Sequence, residues 1–213
     1  MNDSNVITTV TIAIIAVLGI FIFREENSIS SIAYAFSLTL LASSIFYFIT
    51  VNLPEKKRRD RIRKGLKNQY RSFKKRCIDC FLIASNSQEY NDRDNLLDPQ
   101  EFRRYFLDRS GNDQTRWDLI TMSIDDQNYI FDEIVREFEF LDREIAFARL
   151  SVDIDDEIAE QFLIRFRQII HTIKAATKNS DDYKYFSRTL YAFFTSSEGQ
   201  SEEDFFESMI EKI

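Results

Sequence analysis

The sequence contains little glycine, proline, cysteine and histidine, and each shortage removes a class of structure or chemistry. Four glycines and two prolines among 213 residues are too few for many short strands joined by tight turns, so the composition favours long helices. The only two cysteines, Cys77 and Cys80, argue against a disulfide scaffold, and the single histidine, His171, offers few nitrogen ligands to a metal. We therefore predict an all-α protein.

The sequence also lacks the short motifs that mark common enzyme classes. Its four glycines do not have the spacing of a phosphate-binding loop, and neither Gly-x-Ser-x-Gly nor His-Glu-x-x-His occurs. We expect a protein that is not an enzyme and that binds no cofactor.

Three patterns suggest a metal or catalytic site, and for each a structural interpretation is favoured. Cys77 and Cys80 have the spacing of half a zinc site, but a tetrahedral site needs about four ligands, so two small side chains on a helix face are the simpler interpretation. His171 has no catalytic partner in its motif, and Gln168 stands where a Glu-x-x-His carboxylate site requires glutamate. The acidic residues that could join such a site are interpreted as a solvated face: Glu133, Glu137, Glu144, Glu157 and Glu160.

Two long runs without charge occupy the first quarter of the chain. Residues 29–53 are about 25 uncharged residues, enough for a helix rising roughly 1.5 Å per residue to cross a hydrocarbon core of about 30 Å. Residues 6–23 form an earlier run, and residues 24–28 suit a short turn between antiparallel helices. The sequence predicts a transmembrane hairpin in residues 1–53, with spans at about 6–23 and 29–53.

The charges that follow the second run predict its orientation. Twelve lysines and arginines lie in residues 56–76, the basic segment, against Glu55 and Asp60. Positive flanks stay on the cytoplasmic side during insertion, so we expect a multi-pass protein of a bacterial inner membrane with both termini in the cytoplasm. The leader before the first run lacks Lys and Arg, so we do not expect removal as a signal peptide.

Small side chains recur on one stripe of the second run. They lie three, four and seven residues apart, which lets another helix approach closely: Ser30, Ala33, Ser37 and Ser44. A packing seam is favoured over a polar pore lining.

The rest of the chain predicts a connecting helix and a cytosolic helical bundle. In residues 54–86 apolar positions recur at helical spacing between basic ones, at Ile62, Leu66, Tyr70, Phe73, Cys77, Phe81 and Ala84. Residues 77–213 carry a net charge of −15, and residues 87–213 suit an acidic bundle. Its helices are expected to begin at Asp98 and Pro99, after Ser123 for residues 124–150, after Asp153 or Asp155, at Ser180, and near Ser201 and Asp204.

Eleven basic residues are candidate contacts for the membrane surface or for an acidic partner: Lys56, Lys57, Arg58, Arg59, Arg61, Arg63, Lys64, Arg71, Lys74, Lys75 and Arg76. The simpler interpretation is orientation and contact with anionic headgroups, at about 1 kcal/mol per charge near the surface. The alternative is capture of nucleic acid or an acidic protein, because the last four extend beyond what orientation requires. The acidic bundle of the same or a neighbouring chain is a further partner for these distal charges.

A short two-span hairpin, the exit sequence Leu53 to Arg59 (Leu-Pro-Glu-Lys-Lys-Arg-Arg) and a helical domain without enzyme motifs together resemble the two-transmembrane effectors of bacterial anti-phage defence systems. The resemblance covers the architecture and about 50 N-terminal residues. It implies a protein held in check until infection, when it disturbs the inner membrane. It implies no site residues.

The preferred hypothesis is a non-enzymatic membrane effector. Its bundle would bind or sense a partner, and its hairpins would assemble and perturb the membrane. The alternative is an anchor or scaffold that tethers a cytosolic complex without forming a pore, and a third possibility is a nucleic-acid-binding tether. The expected partners are membrane lipids, further copies of the chain, and a cytosolic protein or protein–nucleic acid complex.

Overall fold

The computed structural model describes residues 3–22, 28–108, 114–126, 128–175, 180–195 and 204–213. These residues are all-helical, which confirms the predicted class. Nine α-helices lie in them, with a π-helical turn before α3 and a short 3₁₀ segment, Arg93–Leu97, before α4. The helices are α1 Asp3–Ile22, α2 Ser28–Tyr47, α3 Leu53–Ala84, α4 Pro99–Leu107, α5 Arg116–Asp126, α6 Asn128–Ser151, α7 Glu157–Ala175, α8 Ser180–Thr195 and α9 Phe205–Glu211.

The chain forms two compact units, Met1–Ile62 and Arg63–Ile213. The boundary falls inside α3, whereas the sequence suggested boundaries near residues 53 and 86. α3 therefore contributes its first turns to one unit and its larger part to the other, because Leu66, Tyr70 and Phe73 are buried in the second unit.

The first unit is built on the antiparallel packing of α1 against α2. Residues early in α1, such as Thr8 and Ile12, lie beside residues late in α2, such as Leu40 and Tyr47. At the other end α1 and α2 come closest where Gly19 faces Ser37: a Cβ on Gly19 would press against the Ser37 hydroxyl and lie 3.2 Å from its Cβ. Glycine is needed there for the approach of the two helices.

Burial in the first unit favours small and polar side chains over large apolar ones. Among those of its residues whose side chains the structure describes, Ala16, Ser37, Ser44 and Asn52 are buried, while Ile15 is 60% exposed and Phe36 65% exposed. In water this distribution would leave a large apolar surface uncovered.

The π-helical turn Phe48–Asn52 joins α2 to α3 without a break in helical conformation. Pro54 follows after one residue, Leu53, and a proline removes a backbone donor and crowds the carbonyl four residues earlier. The wider turn accommodates this, with the Leu53 N–H donating to the Phe48 carbonyl. Within the described residues one helix, Ser31–Ala84, contains a stretch apolar and long enough to cross a membrane, and Thr8–Ile20 is a shorter apolar helix.

The second unit surrounds the part of α3 from Arg63 onward. Phe73 contacts Phe138 of α6 and Phe193 of α8, with ring centroids 4.8 and 5.8 Å apart. Phe81 contacts Trp117 of α5 at 5.3 Å, and also rings of α4 and α8. The stripe predicted from helical spacing is buried from Leu66 to Ala84.

Two helix starts agree with the sequence. Asp98 caps α4, since its Oδ1 accepts from the N–H groups of Gln100 and Glu101. Asp204 caps α9 in the same way, while Ser201 lies outside the described residues.

Three local predictions are wrong. Ser123 lies inside α5 and does not cap α6, because Trp117, Ile120 and Ile124 continue one buried face. α7 is capped by Asp156, whose Oδ1 accepts from the Ala159 N–H, and not by Asp153 or Asp155. Helical spacing in the sequence of α7 also predicts an inner face that includes Ile158 and Ile169. Both are exposed, and Ala159, Leu163 and Ile170 are buried instead.

Candidate functional site

A charged cluster in the second unit joins α3 to α9. We call it the α3–α9 cluster; its members are Lys67, Tyr70 and Lys74 on α3, and Asp204, Glu207 and Glu211 at α9. Residues three, four and seven positions apart share a helix face, so the α3 residues form one polar edge and the residues at α9 form another. The Lys67 Nζ lies 3.0 Å from Glu207 Oε1 and 2.9 Å from Glu211 Oε1, and these bonds raise the pKa of Lys67.

The centre of the cluster is a buried ion pair. The Lys74 side chain, 3% exposed as a residue, donates from Nζ to Asp204 Oδ2 at 2.9 Å and to the Leu97 carbonyl at 2.6 Å. The Tyr70 hydroxyl donates to the same carboxylate, with both oxygens within 2.8 Å. Burial, reinforced by the Asp204 charge, holds the pKa of Tyr70 well above its usual value. These extra hydrogen bonds satisfy the polar atoms of the buried pair. Removal of one partner would leave the other charge buried and unpaired, which destabilises the fold.

Beside the cluster lies a polar cleft of about 510 Å³. Arg71, Asp94 and Pro99 line it together with the cluster residues. Such a cleft can hold a polar group, and the Tyr70 hydroxyl beside it keeps its proton at neutral pH. The ion pairs along the cleft link α3 to α9.

A second cleft, of about 530 Å³, lies at the end of α3. The Tyr90 and Tyr105 rings pack at 4.4 Å, and the Arg116 guanidinium lies 4.5 Å from the Tyr105 ring. Arg116 also donates to the Tyr105 carbonyl and pairs with Asp108. These contacts bind the Arg116 side chain within the chain, which indicates a structural role.

The structure places the predicted basic contacts in two groups. Exposed residues of α3 in the first group are Lys56, Lys57, Arg58, Arg61 and Lys64, while Arg59 and Arg63 are half-buried. In the second group, Lys74 is buried, Lys75 pairs with Asp94 at 2.7 Å, and Arg76 pairs with Glu137 at 2.9 Å. Arg71 is exposed and lines the cleft.

These ion pairs change how the distal charges are interpreted. Lys74 cannot contact a membrane surface or a nucleic acid from its buried position. Its pair with Asp204, and those of Lys75 and Arg76, are instead the expected contacts of the distal charges with acidic residues of the same chain. The hydrogen bond to Glu137, a residue 2% exposed, raises the pKa of Arg76. Glu137 therefore does not belong to the solvated acidic face expected from the sequence.

The predicted packing stripe of α2 lies partly against α1. Ser37 and Ser44 are buried, and Ser44 donates from its hydroxyl to the Leu40 carbonyl at 2.8 Å. Ala33 is half-buried. The side chain of Ser30 lies outside the described residues.

The cysteines and the histidine have no catalytic setting in the described structure. Burial raises the pKa of Cys77 well above its usual value, and burial, with Glu133 nearby, raises that of Cys80 to about 11. Both thiols therefore stay protonated at neutral pH and are poor nucleophiles. His171 is exposed on α7, and in the described residues no group of three acidic, cysteine or histidine side chains is placed to hold a metal.

Sequence reasoning identified Asp204 as a helix cap but missed its second role as the partner of Lys74 and Tyr70. The available signal was the position of Lys74 beside the buried stripe, because a buried ammonium needs an anionic partner. Nothing in the sequence selects that partner among 35 acidic residues.

Comparisons with protein-family models, curated proteins and solved structures find no match for this chain.

Proposed function

We propose that this chain is a non-enzymatic membrane protein whose transmembrane hairpin anchors a cytosolic helical bundle that binds a partner. The observation that carries the proposal is the burial pattern of the first unit, in which large apolar side chains such as Phe36 face outward and Ser37 faces α1. A surface of this kind suits a hydrocarbon environment, where helices associate through small residues.

The dimensions of α1 and α2 support the same proposal. Each helix has 20 residues, which at about 1.5 Å per residue matches a hydrocarbon core of about 30 Å. The exposed basic residues from Lys56 to Lys64 then lie where a second span would leave the membrane, and their contact with anionic headgroups would hold the chain with its termini in the cytoplasm.

The anchor is favoured over the membrane-perturbing effector because the small-residue stripe already has a use within the chain. Ser37 and Ser44 pack against α1, so they are not available to bring hairpins of different copies together. An anchor needs no assembly of hairpins, whereas an effector that forms a pore does.

One feature favours the effector as a second candidate. A crevice of about 370 Å³ lies between α1 and α2, and the hydroxyl-bearing residues Thr8, Ser43 and Tyr47 are among the residues of its mainly apolar lining. Assembled hairpins could extend this crevice into a polar path through the membrane, as the resemblance to anti-phage effectors implies.

Exchange of the hairpin separates the two candidates. Residues 3–53 are replaced by an unrelated two-span hairpin of equal length, and the membrane potential of expressing cells is followed with and without phage infection. An anchor keeps its partner binding after the exchange and never depolarises the cell. Depolarisation by the native chain that the exchanged hairpin abolishes would instead establish the effector.

Flotation with lipid vesicles tests the anchor itself. The variant Ile15→Asp/Phe36→Asp places two charges on the outward face, at about 2.5–3.5 kcal/mol each for a residue at the centre of a span. We expect the native chain to float with vesicles and this variant to remain at the bottom. The matched control is Met122→Asp/Tyr185→Asp, at two comparably exposed positions of the second unit, and it should float.

A further inference from the structure

We propose that Asn52 and Lys56 form a binding site for the phosphate group of an anionic phospholipid, at the point where the second span leaves the membrane. Asn52 is 4% exposed, and its Nδ2 group has no hydrogen-bond partner among the described residues. A buried donor without a partner destabilises the fold, so it indicates a further group that completes its hydrogen bonds. An amide N–H needs an acceptor, and a phosphate oxygen is a strong one.

The π-helical turn determines which face of the helix Asn52 occupies. Ser37 and Ser44 lie seven residues apart and are buried, and Asn52 follows eight residues after Ser44. Seven residues make about two turns of an α-helix, and the wider turn Phe48–Asn52 takes up the eighth residue. Asn52 therefore continues the buried face of the second span to the point where α3 begins.

Lys56 brings a positive charge to the same face. It lies four residues after Asn52 in the continuous helix and is exposed. Residues four apart have Cβ atoms about 5–6 Å from each other, and helical side chains lean towards the N-terminus, so Lys56 extends towards Asn52. The asparagine amide turns easily about its broad χ2 torsion, which lets Nδ2 and the Lys56 ammonium donate to one phosphate. Arg59, seven residues after Asn52 and half-buried, adds positive charge to this face.

The position of the pair along the chain identifies a lipid as the source of the phosphate. The uncharged run 29–53 ends beside Asn52. The headgroup region adds roughly 5–8 Å to each side of the hydrocarbon core, so a residue at the end of the run lies at the depth of the lipid phosphates. The site rests on the proposed membrane anchoring, and it adds one defined phosphate position to the general attraction between the basic segment and the membrane surface.

The test compares two neighbouring lysines in the full-length chain. Lys57 follows Lys56 directly and is also exposed, but it lies about 140° around the helix from Asn52. Lys56→Gln and Lys57→Gln therefore remove the same charge at the same depth from different faces. Native mass spectrometry of the chain in a neutral detergent, titrated with phosphatidylglycerol, gives the affinity for the first bound lipid.

We expect the native chain to bind one phosphatidylglycerol and to bind phosphatidylcholine, whose headgroup has no net charge, more weakly. Lys56→Gln should weaken phosphatidylglycerol binding on the order of tenfold, because it removes a charge-assisted hydrogen bond. Lys57→Gln should change it by less than about twofold, as expected for an exposed charge outside the site. Asn52→Leu, which keeps the size but removes the donor, should weaken binding as much as Lys56→Gln, and Asn52→Asp should abolish it.

Competition with inorganic phosphate separates a lipid from a free phosphate as the ligand. Inorganic phosphate at millimolar concentration should leave the bound phosphatidylglycerol in place, because the acyl chains hold the lipid at this depth. Displacement of the lipid would assign the site to free phosphate and overturn the lipid assignment.

Three further results would overturn the proposal. Equal losses in Lys56→Gln and Lys57→Gln would mean diffuse attraction by the basic segment. Unchanged binding in Asn52→Leu would mean that water satisfies the Nδ2 group, and equal affinity for the two lipids would remove the role of charge. A native chain that fails to float with vesicles defeats the anchor, whereas one that floats without selective binding of phosphatidylglycerol defeats only the site. Circular dichroism in the same detergent checks that each variant is folded.

Discussion

The two units of this protein bury opposite kinds of side chain. In the second unit the large apolar groups are inside, where Phe73, Phe81 and Phe102 are fully buried. In the described part of the first unit, Ala16, Ser37, Ser44 and Asn52 are buried, and large apolar groups such as Ile15 and Phe36 face outward. Both units are α-helical, so secondary structure does not distinguish them.

The proposed membrane anchoring accounts for this difference by the solvent around each unit. In water the gain from burying apolar area, roughly 25 cal/mol per Å², packs rings into a core. In lipid that gain between helices disappears, and close approach of small residues determines the contact. Helix α3 contains both the exposed basic residues near Lys57 and the buried ring of Phe73.

The largest expected contrast comes from the same substitution in the two units. Phe73→Ala should lower the free energy of unfolding of the second unit by about 3–5 kcal/mol, because Phe73 contacts several rings and leaves a cavity. Phe36→Ala should leave it unchanged. Urea unfolding followed by the fluorescence of Trp117, the chain's single tryptophan, reports the second unit. Equal losses of unfolding free energy in Phe73→Ala and Phe36→Ala would contradict the difference between the two units.

The next effect concerns charge buried in the second unit. Asp204→Asn should lower the free energy of unfolding of the second unit by about 3 kcal/mol. This is at the low end for breaking a buried ion pair, because Lys74 keeps its hydrogen bond to the Leu97 carbonyl and asparagine can still cap α9. The control is Lys75→Gln, which removes one partner of the exposed pair with Asp94 and should change little. The same Trp117 unfolding curves measure both. Similar small losses for the two variants would mean that the Lys74 pair is not buried.

A smaller effect concerns the stability of the second unit at alkaline pH. The pKa of Tyr70 is raised in the fold, so above about pH 10 the unfolded chain releases this proton while the folded chain keeps it. Stability of the second unit therefore falls as pH rises, until the pH reaches the folded pKa. Tyr70→Phe should show a slope shallower by up to about 1.4 kcal/mol per pH unit.

The pKa of Lys67 is also raised in the fold, so Lys67 also lowers the stability as the pH rises. This contribution is the same in the native chain and in Tyr70→Phe, so it cancels when the two slopes are compared. Unfolding curves from pH 8 to pH 12 give the two slopes. Parallel slopes for Tyr70→Phe and the native chain would contradict the burial of the hydroxyl group.

The smallest effect lies in the first unit. Gly19→Ala should destabilise the packing of α1 on α2 by about 1 kcal/mol, because its methyl group presses on Ser37. The double variant Gly19→Ala/Ser37→Ala should recover most of this, since the blocking hydroxyl is gone. Gly65→Ala, where a Cβ meets nothing within 4 Å, should instead be neutral or stabilising. Thermal melts in detergent by circular dichroism compare the three. A loss that persists in the double variant would place the contact elsewhere.

Local periodicity predicted the fold where one face alone is apolar. In α3 the residues between the apolar positions from Leu66 to Cys77 are charged or polar, so the buried stripe there follows from spacing. In α7 apolar residues cover more than one face, and spacing alone could not choose Leu163 over Ile169. The Ser123 cap failed for a related reason: Ile124 extends the buried face of α5, and this packing outweighs the local capping signal.

The α3–α9 cluster could not be predicted, because its partners are 130 residues apart along the chain. A sequence pattern shows that Lys74 borders a buried stripe, but only the packing of α9 brings Asp204 to it. The charges of Lys75 and Arg76 illustrate the same limit: pairing with acidic residues of the same chain was one of the expected outcomes, but the sequence did not select Asp94 and Glu137 as the partners.

The most direct test of the membrane account is fluorescence quenching by bromine-labelled lipids. The variant Phe36→Trp/Trp117→Phe has its single tryptophan on the outward face of α2, while the native chain has Trp117 in the second unit. In vesicles we expect strong quenching at position 36 and little at Trp117. Position 36 unquenched, with a water-exposed emission spectrum, would contradict the account.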